Sequence, residues 1–427
     1  MPCFLYLLGL AVFAQGTSEF MLSGLLPGIA ADLGVSLSAA GALTSAFAVG
    51  MVVGAPLMAL LSLRWPRRRA LLAFLITFLL VHLVGAVTTS YGVLLATRVV
   101  AALANAGFLA VALATATAAV APNAKGRATS VLLGGTTMAC VAGVPAGAFL
   151  GGLWGWRSAF WAVALVSVPA VVAIVRSVPA GEGREAVLDA PDAHDTAHGD
   201  GTTGAQGPTG TPGAAAVRRA AGARRELRAL RAPRLLVTLL LGALVNGATF
   251  CAFTYLAPLV TGVAGLAPGW VPAVLALFGV GSFAGVTLGG RMADARPVRL
   301  LVTGGAALLL GWALLALTAG SPAATFVLVL VQGALSFAVG STLISQALYA
   351  ATGAPTLAGG FATAALNVGA AIGPWLGGAA LAAGLGYRAP VWVSALLVAL
   401  ALVAGGAARL SRSPRSRACV PAPPRHP

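Results

Sequence analysis

Charge is scarce in this chain. Asp, Glu, Lys and Arg make up 8% of its 427 residues and only ten are acids, against 59% hydrophobic residues and a mean hydropathy of +0.94. A soluble protein of this length could not cover its surface with so few charges, so the composition indicates a polytopic membrane protein. Cysteine is sparser still: Cys3, Cys140, Cys251 and Cys419 show no CxxC or metal-ligand spacing. Neither a disulfide framework nor a metal site is expected from them. HExxH, paired intramembrane acids and a Ser/His pair at plausible depth are missing, which argues against an intramembrane enzyme, and no cofactor is expected. A filter-like repeat is missing too, which argues against a channel. The first apolar run lacks a preceding basic stretch and a small-residue cleavage site, so it is expected to be a retained helix.

The charge that is present is basic, 26 Lys and Arg for a net +16. In a soluble protein this would suggest nucleic acid. Here all but three of the 26 (Arg98, Arg157 and Arg388) fall on one side of the topology read below. That is the positive-inside bias, and it predicts both termini in the cytoplasm. The basic charge orients the chain and meets anionic lipid; nucleic acid is not an expected partner.

Twelve apolar stretches predict helices near 4–27, 38–62, 70–88, 91–118, 129–152, 158–177, 235–260, 270–290, 299–318, 322–348, 357–383 and 389–408. About 20 residues at 1.5 Å each suffice for a hydrocarbon core of roughly 30 Å. The expected fold class is an all-α membrane protein with twelve transmembrane helices in two six-helix pseudo-repeats. Its parts are an N-terminal bundle over 1–177, a linker over 178–234, a C-terminal bundle over 235–408 and a basic tail over 409–427. The linker opens acidic and Gly/Thr/Pro-rich, which reads as disordered. It closes on a basic run from Arg218 to Arg234 suited to the inner leaflet.

The halves repeat. A shift of 231 residues aligns Gly24-Leu25-Leu26-Pro27 with Tyr255-Leu256-Ala257-Pro258, and Gly155-Trp156-Arg157 with Gly386-Tyr387-Arg388. Two six-helix halves around a linker are the plan of a rocker-type secondary transporter, with its substrate site at their interface. One residue is not repeated. Glu19, expected inside the first helix, aligns with Phe250, whereas the other nine acids read as lying in loops or tails. A charge at mid-bilayer costs about 2.5–3.5 kcal/mol on insertion scales, which makes Glu19 the first functional candidate. His82, alone in the third helix, reads as a satisfied structural histidine.

Several motifs, in order, resemble the major facilitator superfamily and within it the twelve-helix drug:proton antiporters. Gly143-Val144-Pro145-Ala146-Gly147 followed by Gly151, and Gly369-x-x-x-Gly373-Pro374-x-x-Gly377, look like the antiporter motif in the fifth and eleventh helices. Glycines at four-residue spacing form a groove for a neighbouring helix, so bulk there is expected to be harmful. The loop expected after the eighth helix, Gly285-x-x-x-Gly289-Gly290-Arg291-Met292-Ala293-Asp294-x-Arg296, resembles the cytoplasmic gating motif. In its first-half copy Leu63 stands where Asp294 would fall. Arg98 looks like the fourth-helix arginine implicated in proton transfer. Gly16-Thr17-Ser18-Glu19-Phe20-Met21 and Leu103-Ala104-Asn105-Ala106-Gly107-Phe108 look like the chloramphenicol-efflux branch.

The resemblance implies a proton-coupled exporter of small amphipathic drugs in the cell membrane, working as a monomer. A sugar or nucleoside exporter of the same superfamily is the alternative. Glu19 and Arg98 are the expected proton-coupling pair, because burial favours the neutral acid and a nearby guanidinium favours the carboxylate. Buried polar residues expected to line a substrate cavity are Gln15, Asn105, Asn246, Thr249, Tyr255 and Asn367, with Gln332 and Gln346 as further candidates.

Overall fold

Inside a bilayer no water can satisfy a backbone amide, so an apolar run pairs its own N–H and C=O groups as a helix. The computed structural model describes residues 3–62, 65–121, 124–177, 232–350 and 358–410, and among these only helices are regular. They are α1 (Cys3–Phe20), α2 (Leu22–Leu33), α3 (Leu37–Ser62), α4 (Arg67–Val87), α5 (Tyr91–Ala118), α6 (Lys125–Met138), α7 (Val144–Trp154) and α8 (Arg157–Ser177) in the first half. The second half has α9 (Pro233–Thr254), α10 (Leu256–Gly262), α11 (Val271–Ala295), α12 (Pro297–Thr318), α13 (Pro322–Ala350), α14 (Ala358–Ala382) and α15 (Ala389–Leu410). Eleven helical segments are long and apolar enough to cross a membrane, and α1 with α2 makes the twelfth span. The expectations for linker residues 178–231 and tail residues 411–427 lie outside the described residues.

Four expectations need correction. The first span is not one helix over 4–27: it bends by 52° at Met21 and runs on to Leu33. The seventh span breaks at Tyr255, which answers Gly24 under the 231-residue shift, so both halves open on a broken span. The fifth span holds a π turn over Ala139–Gly143, closed by the Val144 N–H on the Ala139 carbonyl. Pro145 explains it, since proline lacks the N–H that the Val141 carbonyl needs and its ring crowds that carbonyl. Finally, the gating segment is no loop: α11 stays helical to Ala295 and carries Asp294. Asp32 likewise sits in the last turn of α2, so two of the nine acids read as loop residues are helical.

The repeat extends to its turns. Gly155 and Gly386 both adopt positive φ (80° and 78°), a conformation that costs a side-chain-bearing residue energy. The arginine two residues on then meets a carbonyl ending the third span of its half. Arg157 Nη2 donates to Thr88 O at 2.9 Å, and Arg388 Nη1 to Leu317 O at 3.2 Å.

Small residues set the interfaces. A Cβ at Gly369 or Gly373 would overlap the Ala243 or Gly247 carbonyl, so α14 packs on α9 backbone to backbone. Between the halves, α11 seats Gly279 against the Cys140 carbonyl of the π turn, and Tyr255 packs against Gly41 of α3. Phe20 of the first half and Phe253 and Phe278 of the second share one apolar cluster.

Candidate functional site

The break in the first span carries the site. A helix end leaves its last carbonyls without intrahelical partners, and α1 ends at Phe20. Arg98, on α5 and 1% exposed, fills that need: its Nη2 donates to the Ser18 carbonyl at 2.7 Å and its Nη1 to Ser18 Oγ at 2.8 Å. A cation at a helix C-terminus is also favoured by the helix dipole. The guanidinium stacks over the Phe47 ring at 4.5 Å, which offsets part of its desolvation.

Ser18 passes the chain on. His82 Nδ1 lies 2.7 Å from the Phe78 carbonyl, which can only accept, so Nδ1 carries the proton. Nε2 lies 2.6 Å from Ser18 Oγ; a second cation on the hydroxyl that already takes a proton from the Arg98 guanidinium is disfavoured, so the ring is taken as neutral, with Nε2 accepting from Ser18. All four partners are buried, and the sequence Arg98 to Ser18 to His82 to Phe78 leaves each proton in one place. Ser18 and His82 are thus a buried Ser/His pair, contrary to the expectation from sequence that none exists, but both are used up in this chain of bonds; His82 sits between Phe78 and Phe160, with ring centroids at 4.1 and 5.8 Å.

Glu19 is the next residue along. It is half-buried and makes no hydrogen bond or ion pair with any described residue. Arg98 acts on it through space, while its Nη1 and Nη2 donate to Ser18. The next side chain, Phe20, crosses to the other half, with its ring 5.5 Å from Phe250 and 6.5 Å edge-on from Phe253. Phe250 is the residue that replaces Glu19 in the repeat, so the acid and its substitute lie on either side of one aromatic contact.

The glycine groove of the fifth span holds this bend. A Cβ at Gly143 would overlap Thr17 Oγ1, one at Gly147 would meet Met21 Cβ at 3.4 Å, and one at Gly151 would overlap Leu25. Thr17, Met21 and Leu25 thus lie along Gly143, Gly147 and Gly151, with the break at the middle contact. The second half repeats the arrangement: Gly369 and Gly373 face Ala243 and Gly247, and Gly377 faces Cys251 and Tyr255. Pro145 follows the π turn, whereas Pro374 sits inside a continuous α14.

The expected cavity residues divide. Gln15, one turn before Glu19 and 1% exposed, has both amide atoms unpartnered, as do Thr44 Oγ1, Ser45 Oγ and Arg98 Nε. Thr254 Oγ1, Trp312 Nε1, Gln332 Oε1 and Ser336 Oγ in the second half are unpartnered too, so the lack of a partner does not by itself single out a substrate site. Asn105 Nδ2 contacts Met51 Sδ at 3.6 Å. The second-half candidates are tied to carbonyls: Asn246 to Leu366 at 2.7 Å, Thr249 to Val245 at 2.9 Å, Tyr255 to Pro374 at 2.9 Å and Asn367 to Thr363 at 3.0 Å. Gln332 donates to Leu308 O at 3.0 Å inside its own half. In the gating segment, Gly285 and Gly289 pack on Ala334 and Ala338 of α13, and Arg291 and Arg296 are exposed. No three His, Cys, Asp or Glu side chains come together among the described residues.

Sequence reasoning passed over Ser18, Phe20 and the pair Asp32–Arg157. Arg157 Nη1 and Trp156 Nε1 (3.1 Å) both donate to Asp32 Oδ2, tying α2 to α8 at the end away from the termini. The repeated Gly-aromatic-Arg turn was the available signal for Arg157. Nothing in the local sequence distinguishes Ser18, whose role comes from two distant helices.

Comparison with known proteins agrees with this architecture. The model of the Major Facilitator Superfamily matches residues 8–359. A chloramphenicol resistance protein of Streptomyces lividans is 54% identical, over 94% of this chain and 95% of its own. A chloramphenicol efflux pump of Mycobacterium tuberculosis is 30% identical over 88% of this chain and 84% of its own. Among solved structures, a bacterial homolog of the human lysosomal transporter Spinster, inward-facing and occupied, superposes with a TM-score of 0.70 at 16% identity, covering 95% of this chain and 96% of that one. The chain belongs to the major facilitator superfamily and is a transporter, not an enzyme.

Proposed function

We propose that this transporter exports small amphipathic drugs, chloramphenicol first among them, in exchange for protons, as a monomer with both termini in the cytoplasm. One observation carries the reading: the mid-span acid Glu19 is unpartnered and borders the aromatic contact between the halves. A proton arriving there changes the charge beside a surface that has to part. The 54% identity to a chloramphenicol resistance protein supports the drug class.

The halves meet through Tyr255 and Gly41, Ser38 and Gly378, and Phe20 and Phe250, from mid-membrane to the end away from the termini. With the termini in the cytoplasm this is the inward-facing state, in which Glu19 gives up its proton and drug binds. Facing outward, Glu19 takes a proton and drug leaves. A neutral drug exchanged for one proton moves net charge, worth about 2.3 kcal/mol per 100 mV.

The test is chloramphenicol efflux from everted vesicles under an imposed pH gradient. Glu19→Gln keeps the shape and removes the titratable charge, so uphill export should stop while downhill exchange survives. Glu19→Asp should retain part of the activity with a shifted pH profile. A Gln variant that pumps uphill like the parent refutes the reading.

A further inference from the structure

A cavity of about 810 Å³, whose lining does not include Glu19, lies between α9, α12, α13 and α15 in the end of the second half that carries the chain termini. Its walls are apolar, with Leu241, Val245, Leu343 and Leu402 among them, and Arg234 and Arg409 line it at the outer ends of α9 and α15. Neither guanidinium has a hydrogen-bond or ion-pair partner among the described residues, and no acid lines the space. None of the six first-rank substrate candidates lines it either; Gln346 alone of the wider set does.

The dimensions match one leaflet. Arg234 and Val245 lie on one helix, about 16 Å apart along its axis, which is half of a hydrocarbon core of roughly 30 Å. An apolar space of this size is poorly suited to water. The chain's own undescribed neighbours suit it no better. The run Arg218–Arg231 before α9, in which Glu226 is the one acid among six arginines, and Arg412, Arg415 and Arg417 after α15 are net basic, and would bring positive charge to two unpaired arginines. A neutral drug has no use for two cations. A phosphate above an acyl chain meets both requirements, since basic pockets between helices on the cytoplasmic side take anionic headgroups.

We propose that this cavity is a binding site for an anionic phospholipid of the inner leaflet, its headgroup on Arg234 and Arg409 and its acyl chain between α9 and α13. The site takes in neither Glu19 nor Arg98 and rests on the cytoplasmic placement of the termini.

Native mass spectrometry of the full chain, released from bilayers of equal phosphatidylglycerol and phosphatidylcholine, measures which lipid is retained. At about a fivefold preference per arginine, the parent should favour phosphatidylglycerol about 25-fold. Arg234→Gln with Arg409→Gln should abolish the preference. Gly406→Phe should abolish retention of both lipids, because Gly406 lines the cavity and a Cβ there meets nothing within 4 Å. Equal retention of the two lipids by the parent overturns the proposal, as does unchanged phosphatidylglycerol in both variants. Arg67→Gln with Arg68→Gln is the control on the other half. If it lowers the preference as much, the signal is bulk surface charge and the site is refuted. If removing residues 411–427 raises phosphatidylglycerol retention several-fold, the tail occupies the cavity and the proposal fails.

Discussion

Ser18→Ala tests the site at its least obvious residue. The hydroxyl accepts from Arg98 and donates to His82, so alanine removes one charged and one neutral hydrogen bond together. In soluble proteins these contribute about 1.5–3 and 0.5–1.5 kcal/mol. Interhelical hydrogen bonds in membranes average nearer ~0.6 kcal/mol, because the inserted but unassembled chain finds other partners. Burial decides where this case falls. Ser18 is 0% exposed, Arg98 and His82 are 1% exposed, and Arg98 Nε already lacks a partner. No replacement is at hand, so a loss of about 2–3 kcal/mol is expected. Of the two bonds that Arg98 makes to Ser18, only the one to the carbonyl would remain. His82→Phe is the matched comparison. It deletes only the neutral acceptor, its ring suits the space between Phe78 and Phe160, and Ser18 can turn its proton to its own helix. The expected loss is below about 1 kcal/mol. Unfolding in mixed dodecylmaltoside–SDS micelles gives both numbers, and vesicle efflux gives the functional cost. If Ser18→Ala is as stable as the parent, or His82→Phe is the worse variant, the chain of bonds does not hold Arg98. His82→Phe should also keep proton-driven export; losing it with normal abundance would move the coupling proton to His82.

The two glycine grooves, expected from sequence to be alike in rejecting bulk, should differ. Gly147→Ala adds a methyl in ordinary contact with Met21 and should transport nearly as the parent does, whereas Gly373→Ala drives a methyl into the Gly247 carbonyl and should insert but transport poorly. Equal activity in the two would mean that α9 and α14 separate more easily than their packing indicates. Asp32→Asn should change stability by less than about 1 kcal/mol, since its partner Arg157 is 29% exposed and keeps its bond to Thr88. A larger loss in the micelle assay would make that tie a structural necessity. Deleting residues 185–215, which hold few apolar groups, should leave efflux near normal while the basic run remains. Lost efflux at unchanged abundance would assign the segment a regulatory role.

The spans were legible because a bilayer sets one demand on every one of them, about 20 apolar residues. The interruptions were not, because their causes lie elsewhere in the chain. Met21 is a good helix former, and the break beside it is met by an arginine nearly 80 positions on, Arg98, bonded to Ser18. The Tyr255 break has its hydroxyl partner at Pro374. The π turn was half visible, since Pro145 announces a lost hydrogen bond without saying how the backbone absorbs it. The gating segment misled in the other direction: charged residues read as a loop, yet a helix leaving the membrane loses nothing by exposing them. Glu19 stood out as the unrepeated acid. Its lack of a direct bond to Arg98 needed coordinates, because equal depth in two helices does not say which donor points where.

The bend at Met21 divides the first span into two rods that share a pivot. The second rod, α2, has 12 residues and is therefore about 18 Å long. A ten-degree rotation about the pivot would carry its far end, with Asp32, about 3 Å sideways, roughly the diameter of a water molecule. An unbroken span would have to move whole, dragging its full length past its neighbours, to deliver the same displacement. Placed one residue from Phe20 and two from Met21, the acid sits beside the pivot, where a small angular change is multiplied along the length of α2.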